Sequence, residues 1–221
     1  MGFVYDNTGK LQDQEYLLKK AEYLRYITNH VNNVRRGFDI LFGSKKYNSF
    51  PRGISQKDWN DSVTILSMII NKHDESKYTE EEFEPYRRHF YPTKLEKEED
   101  EDSQTKAEQL YEAAWEHHYR NNDHHPQYWK YIRLIQTEDG NYDLQTVNEP
   151  SEVGVPMPLV CVMHMFCDWF AMDTFHNSTN HAEWYKSESS KEERACLNPE
   201  TKELIKDMFT MLYGEDVSSV E

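Results

Sequence analysis

Residues 159–175 read LVCVMHMFCDWFAMDTF, a run that is apolar nearly all round at helical spacing. A helix with no polar face cannot lie on a surface, so this one is expected at the centre, covered by other helices. Asp168 sits inside it. A carboxylate in that position needs a partner or a metal, because an isolated buried charge costs more than a fold of ordinary stability can offset. The rest of the chain must therefore cover this helix and bring cationic or metal-binding groups to Asp168.

The other segments can be read for that task. Over Gln12–Phe42, Ile27, Val31, Val34, Phe38 and Leu41 recur at helical spacing and form one apolar face, and Gly43 ends the run. His30 lies beside Ile27 and Val34 on that face and is expected to point inward. A second helix begins at Ser55, with Ile54 and Trp59 as a hydrophobic staple and Asp58 at the third helical position. Val63, Leu66 and Ile70 continue its buried face, and His73, followed by Asp74, is next in register. Thr79 as cap, Glu82 three residues later and a Tyr78–Phe83 staple predict a short helix to about Phe90, stopped by Pro92.

Residues 94–106, KLEKEEDEDSQTK, are a charged low-complexity stretch, expected as an exposed loop or a helix extension. Ala107–Asn121 is helical by propensity, and NNDHHPQYW breaks that helix. Residues 131–147 read as a hairpin turning at EDGN. After a linker over 150–158 and the central helix, a last helix opens with Asn198 as cap and Pro199 at its first position. It closes at Gly214, and the tail 214–221 is expected to fray. The class is mainly α, a helical bundle with a small β-hairpin insertion, in one domain of 221 residues.

Composition excludes several function classes. Hydrophobic content is 37%, low for a globular chain, but aromatics reach 14%, which argues for a folded protein with a polar surface. Forty acidic residues against 25 basic give a charge of −15, the wrong sign for a duplex nucleic-acid binder. The cysteines, Cys161, Cys167 and Cys196, are odd in number and form no CxxC pair, as expected of buried or idle thiols in a reducing compartment. Residues 1–10 lack the apolar core of a secretion signal, and Asp6 breaks the myristoylation pattern. No apolar run of about 18 residues exists to cross a membrane, so the cytoplasm is the expected location. No P-loop, GxGxxG turn or GxSxG elbow is present.

What remains is a set of candidate ligands: His30, His73, Asp74, His117, His118, His124, His125 and Asp168, arising on or beside separate helical segments. Imidazoles and carboxylates without thiolates suit divalent Mn, Fe, Co, Ni or Zn, with Mg also open. The order His, His-Asp, His, His, Asp on successive helices resembles the HD-domain metallohydrolase superfamily. The blocks KHDESKYTEEEFEPYRRHFYP, AWEHHYRNNDHHPQYW and MPLVCVMHMFCDWFAM resemble, more narrowly, a small and mostly uncharacterised family of phages and bacteria (DUF5662-like). With the His30 helix they cover most of Tyr23–Met172. The resemblance implies an HD-like bundle in which His30, His73, Asp74 and Asp168 hold one metal. Asp74 would bridge to a second, completed by His118 and by His124 or His125. Register leaves His117 against His118 open, the loop leaves His124 against His125 open, and a one-metal site of the first four ligands also fits. A phage origin would place the protein in the host cytoplasm.

The expected activity is a metal-dependent phosphohydrolase acting on a small phosphorylated substrate, with a nucleotide favoured by the resemblance. A divalent cation lowers the pKa of bound water from 15.7 to as little as about 7 and polarises a phosphoryl oxygen. Asp74 would then be essential, and Lys77 would meet a phosphate as a point charge. Arg87 and Arg88 would bind it bidentately. His125 would protonate the leaving oxygen. Trp129, with Trp115 and Tyr128, would stack a base. Duller roles stand beside these: His30 as a core histidine, His73-Asp74 as a helix end, Asp168 paired with His164 one turn earlier, the arginines paired with EEEFE, and the aromatics in the core. The alternatives are a non-catalytic acidic interaction protein on a degenerate HD scaffold and a di-iron HD-type oxygenase. The sequence does not fix an oligomeric state.

Overall fold

A computed structural model of the chain describes residues 11–176 and 182–219, leaving aside the side chains of residues 11–13, 175 and 176. Residues 1–10, where no leader is expected, lie outside it, as do His181 and the last two residues. The described chain is mainly helical. Its helices are α1 (Leu11–Phe38), α2 (Gln56–Ile69), α3 (Phe83–Phe90), α4 (Lys94–Lys97), α5 (Glu101–Asn121), α6 (Leu159–His176), α7 (Glu183–Lys186), α8 (Lys191–Cys196) and α9 (Pro199–Tyr213). A π-helical turn, Asp39–Gly43, prolongs α1, and a 3-10 turn, Pro126–Tyr131, leads into an antiparallel hairpin of β1 (Ile132–Gln136) and β2 (Tyr142–Thr146). The pairing Leu134↔Leu144 sets the register around a turn at Gly140, which adopts φ 84°. The backbone groups into two compact units, residues 1–29 with 74–118 and residues 30–73 with 119–221.

The unit of residues 30–73 and 119–221 is built on α6. Cys161, Val162, Met163, Met165, Phe166, Cys167 and Ala171 are all buried, as an all-apolar helix requires. α2 packs against α6, and Trp59 and Leu66 supply its buried face. α9 contributes Ile205, Met208, Phe209 and Leu212, the i, i+3, i+4, i+7 stripe of an amphipathic helix. Each such side chain stabilises the fold by about 1.5–3 kcal/mol when fully buried. Asn198 caps α9 by accepting from the Glu200 amide, and Gly214 ends it in the left-handed conformation at φ 70°.

The other unit rests on aromatic packing. Tyr23 is fully buried and its ring lies 5.2 Å from Phe83 and 5.9 Å from Tyr91. Arg87, 2% exposed, ties α3 to α4: its guanidinium donates to both Glu96 oxygens at 2.8 and 2.5 Å, to Glu84 at 3.0 Å and to the Tyr91 carbonyl.

Two local expectations change and one narrows. Thr79 does not cap a helix that runs on through Glu82; α3 starts at Phe83, because the Glu82 carboxylate is drawn inside to two histidines and cannot fold back on Thr79. Of the two forms expected for the charged stretch 94–106, loop or helix extension, the helical one prevails. Thr93 and Glu96 form a capping box that starts α4, and α5 begins at Glu101. The tail does not fray at once after Gly214: Val217 is 1% exposed, and Glu215 accepts from the Ala182 amide.

One glycine sets a helix spacing. A Cβ on Gly37 would sit 2.9 Å from Phe170 Cδ1 and 3.1 Å from the Cys167 carbonyl oxygen. Gly37 lies two turns after His30 on α1, and Cys167 and Phe170 flank Asp168 on α6. Alanine gains about 1 kcal/mol in helix propensity. Here overpacking of about 1–3 kcal/mol should exceed that gain, so Gly37→Ala is expected to lower the thermal midpoint in calorimetry.

Candidate metal centre

The HD dipeptide falls where a helix stops. α2 tightens into the 3-10 turn Ile70–Lys72, and the His73 amide donates to the Ile70 carbonyl. Asp74 then turns the chain with φ 57° and ψ 28°, the one non-glycine among the described residues with positive φ. Aspartate tolerates this left-handed geometry better than most residues, yet the conformation still costs free energy and tends to persist at functional sites. The turn splits the pair: His73 belongs to one compact unit and Asp74 to the other.

In the unit of residues 30–73 and 119–221, three ligand atoms converge. His30 Nε2 lies 3.0 Å from His73 Nε2 and 3.0 Å from Asp168 Oδ1, and His73 Nε2 lies 3.6 Å from the same oxygen. Ligands about 2.0–2.2 Å from a cation sit roughly 3.0–3.5 Å apart in octahedral or tetrahedral shells, so this triangle has the size a metal requires. His30 and His73 are 6% and 2% exposed. Burial by itself pushes the Asp168 carboxyl up, but hydrogen bonds and charge from His30 and His73 outweigh it and hold the group well below the usual carboxylate range. Of the four ligands expected for the first metal, His30, His73 and Asp168 are brought together in this unit, and the fourth, Asp74, belongs to the other.

Further imidazoles back it. His73 Nδ1 lies 2.9 Å from His164 Nε2. In the tautomer that leaves His73 Nε2 as a ligand, Nδ1–H donates to His164 and orients the ring. His164 thus pairs with His73, not with Asp168 as the duller reading had it. The His124 ring centre lies 4.5 Å from those of His73 and His164, and these three residues offer nitrogens within 4.8 Å of one another. His125, 8% exposed, packs at 4.4 Å on His124 and opens the Pro126–Tyr131 turn. His124 stands in the histidine cluster, and His125 beside it.

In the other unit, Asp74 Oδ2 accepts from Lys77 Nζ at 2.6 Å, while Asp74 Oδ1 lies 3.5 Å from His118 Nε2. His118 is 1% exposed and its Nδ1 reaches Glu82 Oε2 at 2.8 Å. His117 Nδ1 reaches the other Glu82 oxygen at 2.7 Å, with its side chain one-third exposed. Geometry separates the doublet: His118 presents Nε2 to Asp74, and His117 does not. Burial pushes the Glu82 carboxyl up, but hydrogen bonding and charge from His118, then His117 and Ser76, bring it below its ordinary range. The Trp115 ring stacks 5.8 Å from His118.

Other expected substrate residues are occupied. The phosphate role expected for Arg87 gives way to a structural one, since Glu84, Glu96 and Tyr91 engage its guanidinium. Arg88 pairs with Glu99 in the same unit. Trp129 is not a base platform: it is 5% exposed, and its indole N–H donates to the Asp123 carbonyl at 2.8 Å. The three cysteines are free and buried. Sequence reasoning missed Glu82 as a histidine partner because its spacing matched a capping box. It gave no role to Glu193, which α8 carries inward, its Oε2 buried without a hydrogen-bond partner, because nothing in KEERAC marks it.

Fold and site together define a class, a mainly helical protein with buried histidine–aspartate clusters that could hold a metal ion. The chain belongs to the family described as a family of unknown function (DUF5662), which it matches over residues 19–211. No curated protein and no solved structure matches it.

Glu193 yields a pH prediction. Burial, then the charge of Asp168, raises its pKa to about 7. A raised carboxyl favours the protonated fold, so its penalty is absent below about pH 4.5, grows as pH rises and is complete above about pH 7, with an upper limit of roughly 3 kcal/mol. Glu193→Gln is expected to match the metal-free parent in thermal midpoint at pH 4 and to exceed it at pH 8, as thermal melts at the two pH values would record.

Proposed function

We propose that this chain is a metal-dependent phosphohydrolase of HD type, acting on a small phosphorylated substrate. The observation that carries the reading is the convergence of His30 Nε2, His73 Nε2 and Asp168 Oδ1 within 3.0–3.6 Å, from segments more than 130 residues apart at the extremes. A degenerate interaction scaffold has no reason to keep that triangle closed. A divalent cation bound there would supply a nucleophile from water at neutral pH and a Lewis acid for a phosphoryl oxygen. The protein's own part is orientation: His164 fixes the tautomer of His73, and α1, the turn that follows α2, and α6 carry the three ligands. Lys77, which donates to Asp74, is the ammonium proposed to meet a phosphate oxygen as a point charge. His125 is the proposed proton donor to the leaving oxygen. With Trp129 in the core, the preference for a nucleotide rests on the resemblance to HD enzymes alone.

A second reading has its own support. Two histidines and one carboxylate are also the ligand set of non-haem Fe(II) oxygenases, and His124 and His164 make the surroundings rich in nitrogen. The two readings separate in one pair of assays.

Purified protein is expected to bind a divalent ion, measured by elemental analysis, and to release phosphate in a screen over phosphorylated compounds with Mn²⁺, Co²⁺ or Ni²⁺. Asp168→Asn is expected to weaken ion binding at least about 10-fold and to lower turnover at least about 100-fold, with helicity retained in circular dichroism. Phosphate release unchanged in Asp168→Asn would overturn the assignment; oxygen uptake with Fe²⁺ and no phosphate release would favour the oxygenase.

A further inference from the structure

The histidine doublet of α5 shares one carboxylate. Glu82 is fully buried and sits in the turn before α3. Its two oxygens are reached by His117 Nδ1 at 2.7 Å and His118 Nδ1 at 2.8 Å. A carboxylate only accepts, so each of these nitrogens must carry the proton. In neutral His118 the proton on Nδ1 leaves Nε2 with its lone pair, and Nε2 is the atom 3.5 Å from Asp74 Oδ1. Trp115 covers the His118 ring, and Ser76 Oγ lies 3.3 Å from its Nδ1, so ring rotation would break a stack as well as the hydrogen bond.

We propose that Glu82 is a positioning residue that locks His118 in the Nδ1–H tautomer, so that His118 Nε2 and Asp74 Oδ1 form one edge of a divalent cation's coordination shell. The inference rests on the reading of this protein as a metalloenzyme and names the residue that makes one of its ligands competent. A carboxylate behind a ligating imidazole fixes the ring and raises its basicity, and loss of such a partner typically costs 10–100-fold in metal affinity. His117 holds the other oxygen of Glu82, which keeps the carboxylate from turning.

The dyad makes the test specific. In Glu82→Gln one oxygen becomes an NH₂ group that only donates. The amide can then accept from one histidine while it donates to the other. Where His118 meets the NH₂ group, it is driven to the Nε2–H tautomer, which has no lone pair for a metal. Removing His117 as well frees the amide oxygen for His118. In ¹⁵N-resolved NMR of the full metal-free protein, His118 is expected as Nδ1–H in the parent and as Nε2–H, wholly or in part, in Glu82→Gln. It is expected to return to Nδ1–H in Glu82→Gln/His117→Ala. Calorimetric titration with Mn²⁺ is expected to follow the same order, with a 10–100-fold loss of affinity at the ion that His118→Ala also weakens, and recovery in the double variant. Unchanged tautomer and Mn²⁺ affinity in Glu82→Gln would refute the role of Glu82, as would equal loss in single and double variants with a lowered thermal midpoint. Mn²⁺ binding by the parent that His118→Ala does not alter refutes it too. A parent that binds no ion refutes the metalloenzyme reading as well.

Discussion

The carboxylate of Asp168 is the constraint on which the structure turns. It lies in a helix whose neighbouring buried side chains, Met165, Phe166, Cys167 and Ala171, are sulfur and hydrocarbon. A lone anion in that setting would be neutralised by protonation or would unfold the helix's surroundings. His30 and His73 prevent both, and they do so from positions fixed by apolar registers: Ile27 and Val34 on α1, Leu66 and Ile70 ahead of His73. The packing that buries α6 is thus the same packing that assembles the ligand triangle. Gly37 belongs to that arrangement, since it lets α1 approach α6 at a residue two turns from His30.

Much of this was legible in the sequence. The all-apolar run 159–175, the register that turned His30 inward, the Ser55 cap and the Asn198-Pro199 start all correspond to elements of the fold. So did the hairpin, because alternating residues flank a turn with glycine at a position of positive φ. These signals are local, and local physics decides them. The parts that were not legible depend on tertiary choices. Glu82 satisfied the spacing of a capping box, but the imidazoles of buried His118 and half-buried His117 compete for its carboxylate more strongly than a backbone amide can. Composition left the charged stretch 94–106 open between a loop and a helix extension; Arg87 favours the helix by holding Glu96 in place and so supporting the cap of α4. Val217 could not be told from a frayed tail without knowing that the core has room for it.

The doublets show the same division. Periodicity places His117 and His118 on neighbouring faces of one helix and stops there. What separates them is burial and the nitrogen each ring exposes, both consequences of where Glu82 and Trp115 lie. Asp74 adds a further element. A left-handed aspartate between two ordinary turns is a cost the fold bears at this position and at no other non-glycine position among the described residues.

The most direct test of the central claim is crystallographic. A crystal of this protein soaked in Mn²⁺ and measured for anomalous scattering should show a peak about 2.0–2.3 Å from His30 Nε2, His73 Nε2 and Asp168 Oδ1 together. A map with no peak there, or with the three atoms joined only by hydrogen bonds at full Mn²⁺ concentration, would contradict the account.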